Sequence, residues 1–370
     1  MDRRDFLLRA GAAGAAVLMS GALPAQTRRR GAVRIDALGG VNGFDEQGGA
    51  MVPSARLREA VRQGRVHAIS QTLGEVGNGP GRFEAGVEAI ATWDATIARH
   101  GDLLMKIGSA ADIRAARAAG KLGLIYNFQD TTALEADAAR VELFKALGLR
   151  TLQLTYNKRN LAGDGCLERA NAGISDWGRE VIARINAAKL LLDLSHAGQR
   201  TIAEGIAETK APPAITHSGC RDLVDFPRNT YDREIRALAD KGGVIGIYFM
   251  PFLRPSGQAQ QEDLLRHLDH AVNVGGEDHV GIGTDGPLLG VEINDEARAR
   301  QRAFFERRSK EGIAAPGEAA DVFNIVEGYN DAARFDRLAN DLRRRGWTAA
   351  RVDKVLGGNF LRLYGEVWGG

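Results

Sequence analysis

Eight short apolar runs, each followed by an amphipathic stretch, constrain this chain more than any other feature. The runs cover 33–38, 67–73, 122–128, 150–155, 189–195, 213–217, 243–248 and 279–284. Strands buried on both faces of a parallel sheet read as continuous apolar runs rather than as alternation. Between them, 87–100, 110–119, 134–147, 177–187, 199–209, 232–241 and 261–274 repeat apolar residues at helical spacing. That order predicts an α/β fold, a closed (β/α)8 TIM-like barrel rather than an open doubly wound sheet. No glycine-rich fingerprint follows the first run, which counts against dinucleotide binding. From about residue 319 the pattern turns helical, clearest at 331–345 and 348–356, and predicts a C-terminal helical cap on the barrel. The polar segment 286–316 is long for a connection and predicts a lid or insertion beside the mouth.

The first 30 residues read as a targeting segment, leaving 31–370 for the barrel. Arg3-Arg4-Asp5-Phe6-Leu7-Leu8 is a twin-arginine pattern, followed by a small, apolar stretch at 10–23 and small residues near Ala25. That stretch is short and glycine-rich for a bilayer span. The expectation is a periplasmic or extracellular protein without a membrane span after processing. A net charge of +2 gives no argument for nucleic acid, and none is expected as a partner. The two cysteines, Cys166 and Cys220, fit a bridge in an oxidising compartment and two independent thiols equally well.

Chemistry concentrates at the ends of three apolar runs. One ends in Asp193-Leu194-Ser195-His196, the next in Thr216-His217-Ser218, and the last in Gly283-Thr284-Asp285. Barrel enzymes carry their chemistry at the carboxyl ends of the strands. Two imidazoles and a carboxylate placed there are the residue types of a metal-assisted hydrolase. His267 and His270, three apart on a predicted helix, read as an exposed polar face. His67, His100 and His279 read as structural or surface residues, and Asp164 in Gly163-Asp164-Gly165 as a turn residue.

The pieces Asp193-Leu194-Ser195-His196-Ala197-Gly198, Thr216-His217-Ser218, Pro227-Arg228-Asn229, Gly281-Ile282-Gly283-Thr284-Asp285-Gly286 and Gly357-Gly358-Asn359-Phe360 resemble the renal, or membrane, dipeptidase family of zinc peptidases. The resemblance implies a (β/α) barrel with a two-zinc site. One zinc is held by two histidines, which match His196 and His217. The family's His-x-Asp pair after the first strand falls on Leu38 and Gly40, and its bridging Glu on Gln129. Leucine and glycine side chains cannot ligate zinc, and a neutral amide is a poor bridge between two dications. The implied cofactor is therefore one zinc per chain on His196 and His217, with Gln129 or Asp36 at the edge, and a lost second site.

The same resemblance assigns the remaining roles. Asp285 would accept a proton from the attacking water and pass it to the leaving amine. Arg228, with Asn229 beside it, would hold the substrate's terminal carboxylate. Tyr156, where the family has a histidine that contacts the substrate carbonyl, would donate to the developing oxyanion. The function read this way is an exported metallo-dipeptidase-like hydrolase acting on a small dipeptide-like substrate; a lactam or an N-acyl amino acid fits the same residues. The alternative is a non-catalytic barrel that binds a small periplasmic ligand. A homodimer is part of the expectation.

Overall fold

The computed structural model describes residues 32–369; the twin-arginine segment lies outside them. Eight barrel strands follow in chain order: β1 Ile35–Gly39, β2 Ala68–Thr72, β3 Leu122–Phe128, β4 Leu149–Gln153, β5 Leu191–Asp193, β6 Ala214–Ser218, β7 Val244–Ile247 and β8 Val280–Ile282. Each pairs in parallel with the next. The circle closes just past the last ladder. There Asp285 N donates to Leu38 O at 2.8 Å, and Gly40 N to Gly286 O at 3.0 Å. The buried Asp36 carboxylate reinforces this joint by accepting Thr284 N at 2.8 Å and Thr284 Oγ1 at 2.6 Å. The result is an α/β, TIM-like barrel.

Most observed strands are shorter than the apolar runs that predict them, because the last residues of a run leave the ladder to build the mouth. Asp193 ends β5, so Ser195 and His196 belong to the loop. The sequence reading missed a hairpin, Phe44–Gln47 with Ala50–Pro53, and a short strand, Leu104–Lys106, beside the start of β3.

Glycines in the quoted motifs serve packing. A Cβ on Gly283 would lie 2.0 Å from Thr216 O and 3.2 Å from Leu38 N, so β1, β6 and β8 approach each other only around glycine. A Cβ on Gly281 would lie 2.4 Å from the Phe360 ring.

The chain end departs from expectation. Residues 319–333 are turns and bridges rather than helix, and the helices begin at Arg334–Arg344. The last helix, Asn359–Trp368, packs on the amino-terminal end of the barrel, opposite the mouth. Its Phe360, Leu363 and Tyr364 join Ile35, Ala68, Leu191, Ala214 and Val244, the first residues of their strands, in one buried cluster. Asn359 Nδ2 donates to Glu277 O and Val280 O, both at the start of β8. Truncating a ring as buried as Phe360 costs about 3–5 kcal/mol. The Gly-Gly-Asn-Phe motif thus plugs the barrel and takes no part in the site.

The polar segment 286–316 contains a helix, Asp295–Lys310, capped by Asn294, which accepts from Ala297 N at 2.9 Å. No helix among the described residues is long and apolar enough to cross a membrane.

Candidate active site at the carboxyl ends of the strands

His196 lies three residues beyond β5, His217 within β6 and Asp285 three beyond β8. His196 and Asp285 both adopt left-handed backbone, with φ of 60° and 53°. Such conformations cost non-glycine residues energy and persist where surrounding contacts over-determine them. Here Cys166 N donates to His196 O at 2.7 Å, and Asp285 N is held by Leu38 O. The ligand atoms of His196, His217 and Asp285 lie within 4.8 Å of one another.

Hydrogen bonding assigns the tautomers of both rings. His196 Nδ1 stands 2.6 Å from Asn157 Oδ1, an acceptor, so Nδ1 carries the proton. Thr216 Oγ1 donates to Asp193 Oδ2 at 2.5 Å and therefore accepts from His217 Nδ1 at 2.9 Å. Both Nε2 atoms are left with a lone pair, buried and without a partner. Burial holds both imidazoles neutral, well below the usual histidine range, and the nearby Arg228 charge acts in the same direction. Asp193 organises this arrangement: its carboxylate also takes Ser195 N, Ser195 Oγ and Thr216 N.

Asp285 is half-buried, and desolvation pushes its carboxyl up to about 6 against the opposing fields of Arg228 and Arg308. Arg228 is 4% exposed, and its Nη2 has no partner. Its guanidinium lies 5.6 Å from the Tyr248 ring centroid. The Tyr156 ring stacks on His196, with centroids 4.0 Å apart. Gln129, Leu38, Gly40 and Asp285 line one cavity of about 280 Å³. The positions matched to the missing ligands therefore do face the same opening.

Two sequence assignments change on this geometry. Asp36 is not beside the histidines; both its oxygens serve Thr284 across the barrel joint. Asn229 does not present its amide to the mouth. Its Nδ2 donates to Val224 O and Phe252 O, and its Oδ1 accepts from Tyr248, so it shapes the loop that carries Arg228. Gln129 borders the cavity, with its Nε2 donating to Thr72 Oγ1 at 2.8 Å.

The other histidines are structural. His267 is buried rather than exposed, accepting Cys220 N and contacting Leu253 O, while His270 pairs with Asp232 at 2.6 Å. Asp164 is buried and holds Arg159 and Ala172 N. Cys166 and Cys220 are both free thiols.

The sequence reading missed Asn157, Asp193 and Arg308. Asp193 did carry a signal, an acid inside a buried run. Arg308 carried none, sitting in an arginine-rich helix. It forms a buried two-point ion pair with Glu318, at 2.8 and 2.9 Å, and donates to Ile313 O. Ile313 O also accepts from Asn157 Nδ2 at 2.8 Å, and Arg308 Nη1 reaches the Tyr156 hydroxyl at 3.5 Å. The segment after β8 is thereby tied to the residues that hold His196.

Two imidazoles with bare nitrogens, a carboxylate and an unpaired arginine at the strand ends place this chain among (β/α) barrels with a candidate site at the mouth. A sequence model of the membrane dipeptidase family (peptidase family M19) matches residues 42–297, and the chain belongs to that family. It is 29% identical over 271 residues to the "uncharacterized protein in pqqA 5'region" of Klebsiella pneumoniae, covering 70% of this chain and 88% of that one. It is 24% identical over 272 residues to dipeptidase tcpJ of Claviceps purpurea, covering 72% of this chain and 56% of that one. Among solved structures, an amidohydrolase from Pseudomonas aeruginosa superposes with a TM-score of 0.77 at 32% identity, covering 92% of this chain and 97% of that one.

Proposed function

We propose that this dipeptidase-family protein is an exported, zinc-dependent hydrolase that cleaves a small dipeptide or related amide carrying a terminal carboxylate. One observation supports it above all: His196, His217 and Asp285 each bring a ligand atom within 4.8 Å of the other two, and both histidines keep a buried, unpartnered Nε2. Ligands sharing a tetrahedral ion at zinc–nitrogen distances of about 2.0–2.1 Å sit roughly 3.4 Å apart, so modest side-chain adjustment suffices. His196 and His217 would hold the ion, and Asp285 stands close enough to act as base toward a water beside it. No imidazole or carboxylate other than Asp285 lines the cavity of Leu38, Gly40 and Gln129, so the proposal is one ion per chain. When bound, zinc supplies Lewis acidity for the water and the scissile carbonyl.

The chain's own groups do the rest. Arg228, buried and without an acidic partner, receives the substrate carboxylate. Asp285 takes a proton from the attacking water, whose oxygen bonds the carbonyl carbon. As the C–N bond breaks, Asp285 returns the proton to the amine. Tyr156 steadies the developing oxyanion. Because Arg308 donates to its oxygen, the Tyr156 hydroxyl hydrogen stays free for the cavity.

Ligand binding without catalysis is the second reading, favoured by Leu38, Gly40 and Gln129 at the ligand positions. Metal content separates the two. Protein exported through the twin-arginine route should carry close to one zinc and lose amide hydrolysis on chelation. A protein with no zinc, indifferent to added zinc or chelator, would eliminate the hydrolytic mechanism.

A further inference from the structure

A dipeptide brings two charges to the mouth, a carboxylate and an α-ammonium. An N-acylated amino acid brings the carboxylate alone. The charges around the site separate these two classes.

Two cavities are lined by Asp285, and a third by Tyr156, whose ring stacks on His196. One of about 280 Å³ is lined by Leu38, Val41, Gln129 and Asp285. A second of about 290 Å³ runs from Asp285 to Phe304 on the helix after β8. A third of about 460 Å³ lies beyond Tyr156. The only carboxylates lining them are Asp285, Asp130 and Glu311. Asp130 is 2% exposed and already accepts Gly77 N, Thr132 N and Thr132 Oγ1. Glu311 is exposed, where water screens it.

Of the cavity-lining carboxylates an ammonium would meet chiefly Asp285, which already faces Arg228 and Arg308, with Glu318 as the one opposing charge nearby. Arg308 has Glu318 as counter-ion, whereas Arg228 has no acidic side chain paired to it. The inner surface is thus biased toward anions before any cation binds. Gln129 is uncharged, and Leu38 and Val41 are hydrocarbon. None of positions 38, 40 and 129 carries a carboxylate that could stabilise an ammonium there. Unpaired charge in a poorly hydrated site is costly.

We infer that the substrate is an N-acylated amino acid with a short uncharged acyl chain, its carboxylate on Arg228 and its acyl chain in the cavity of Leu38, Val41 and Gln129. The inference rests on the hydrolytic reading above for the reaction. Water adds across the acyl C–N bond, giving a short carboxylic acid and a free amino acid.

The test uses binding, so it does not depend on turnover. Metal-loaded protein is titrated calorimetrically with a matched pair of non-hydrolysable ligands. One is a dipeptide whose scissile amide is a ketomethylene, and the other is the same molecule with hydrogen in place of its amino group. The des-amino ligand should bind at least tenfold more tightly, and Gln129→Glu, which restores a carboxylate, should erase or invert that preference. Equal or tighter binding of the amine-bearing ligand by the unaltered protein would overturn the inference. Hydrolysis assays on the same preparation report separately on the reaction: absence of zinc-dependent turnover would remove the hydrolytic reading and leave the binding ranking intact.

Discussion

Replacing Asp36 by Asn tests whether this acid fastens the barrel or serves a metal. Its carboxyl is 2% exposed, and burial pushes it from 3.8 up to about 7, even though Thr284 and the charge of Arg334 favour the ionised form. The folded state therefore holds a proton that the unfolded chain releases near 3.8. Stability from this group is fully present below about 4 and is lost as pH rises through about 7. A shift of ~3 units corresponds to at most ~4 kcal/mol of destabilisation above pH 7. Asparagine keeps an acceptor for Thr284 N and offers an amide donor to Thr284 Oγ1, and the hydrogen bonds to the anion that it gives up are already counted in the net shift. The net expectation at pH 8 is a gain of up to ~4 kcal/mol, a rise in Tm of at most roughly 6 °C for a chain this size. At pH 4 the variant should be equal to or less stable than the parent. Thermal unfolding from pH 4 to 8 reads both numbers, and mass spectrometry reads zinc. The reasoning fails if Asp36→Asn lowers Tm equally at every pH, or if it strips the metal.

Three further outcomes follow from the same geometry. His217→Ala should weaken zinc binding at least 100-fold by calorimetry, whereas Asp130→Ala, which strands Gly77 N and the Thr132 donors, should lower Tm and leave zinc affinity alone; the reverse pattern would mean the wrong strand ends were assigned. Tyr156→Phe should reduce kcat about 10-fold to 100-fold with little change in KM; an unchanged kcat would leave Tyr156 a packing partner of His196. Leu38→His, Gly40→Asp and Gln129→Glu together should raise the metal stoichiometry above that of the parent, since a Cβ on Gly40 meets nothing within 4 Å; a folded triple variant with unchanged metal content would show that these positions do not correspond to the family's ligands.

What the sequence determined by itself was the barrel and the position of its two histidines. Both are local properties. Continuous apolar runs such as 122–128 and 213–217 mark strands buried on both faces, and a polar residue at the end of such a run, like His217, has to face the mouth. Tertiary structure decided what those residues are free to do. Asp36 and Asp285 both end up at the joint between β1 and β8, yet Thr284 occupies one and leaves the other beside the histidines. Asn229 follows Arg228 directly, but its amide turns inward while Arg228 Nη2 stays bare. The unpartnered Nε2 atoms depend on Asn157 and Thr216, and Asn157 is braced from Ile313, far along the chain. Allocation of hydrogen bonds and the aim of a side chain from left-handed backbone arise from contacts between distant segments. Local pattern carries no record of them.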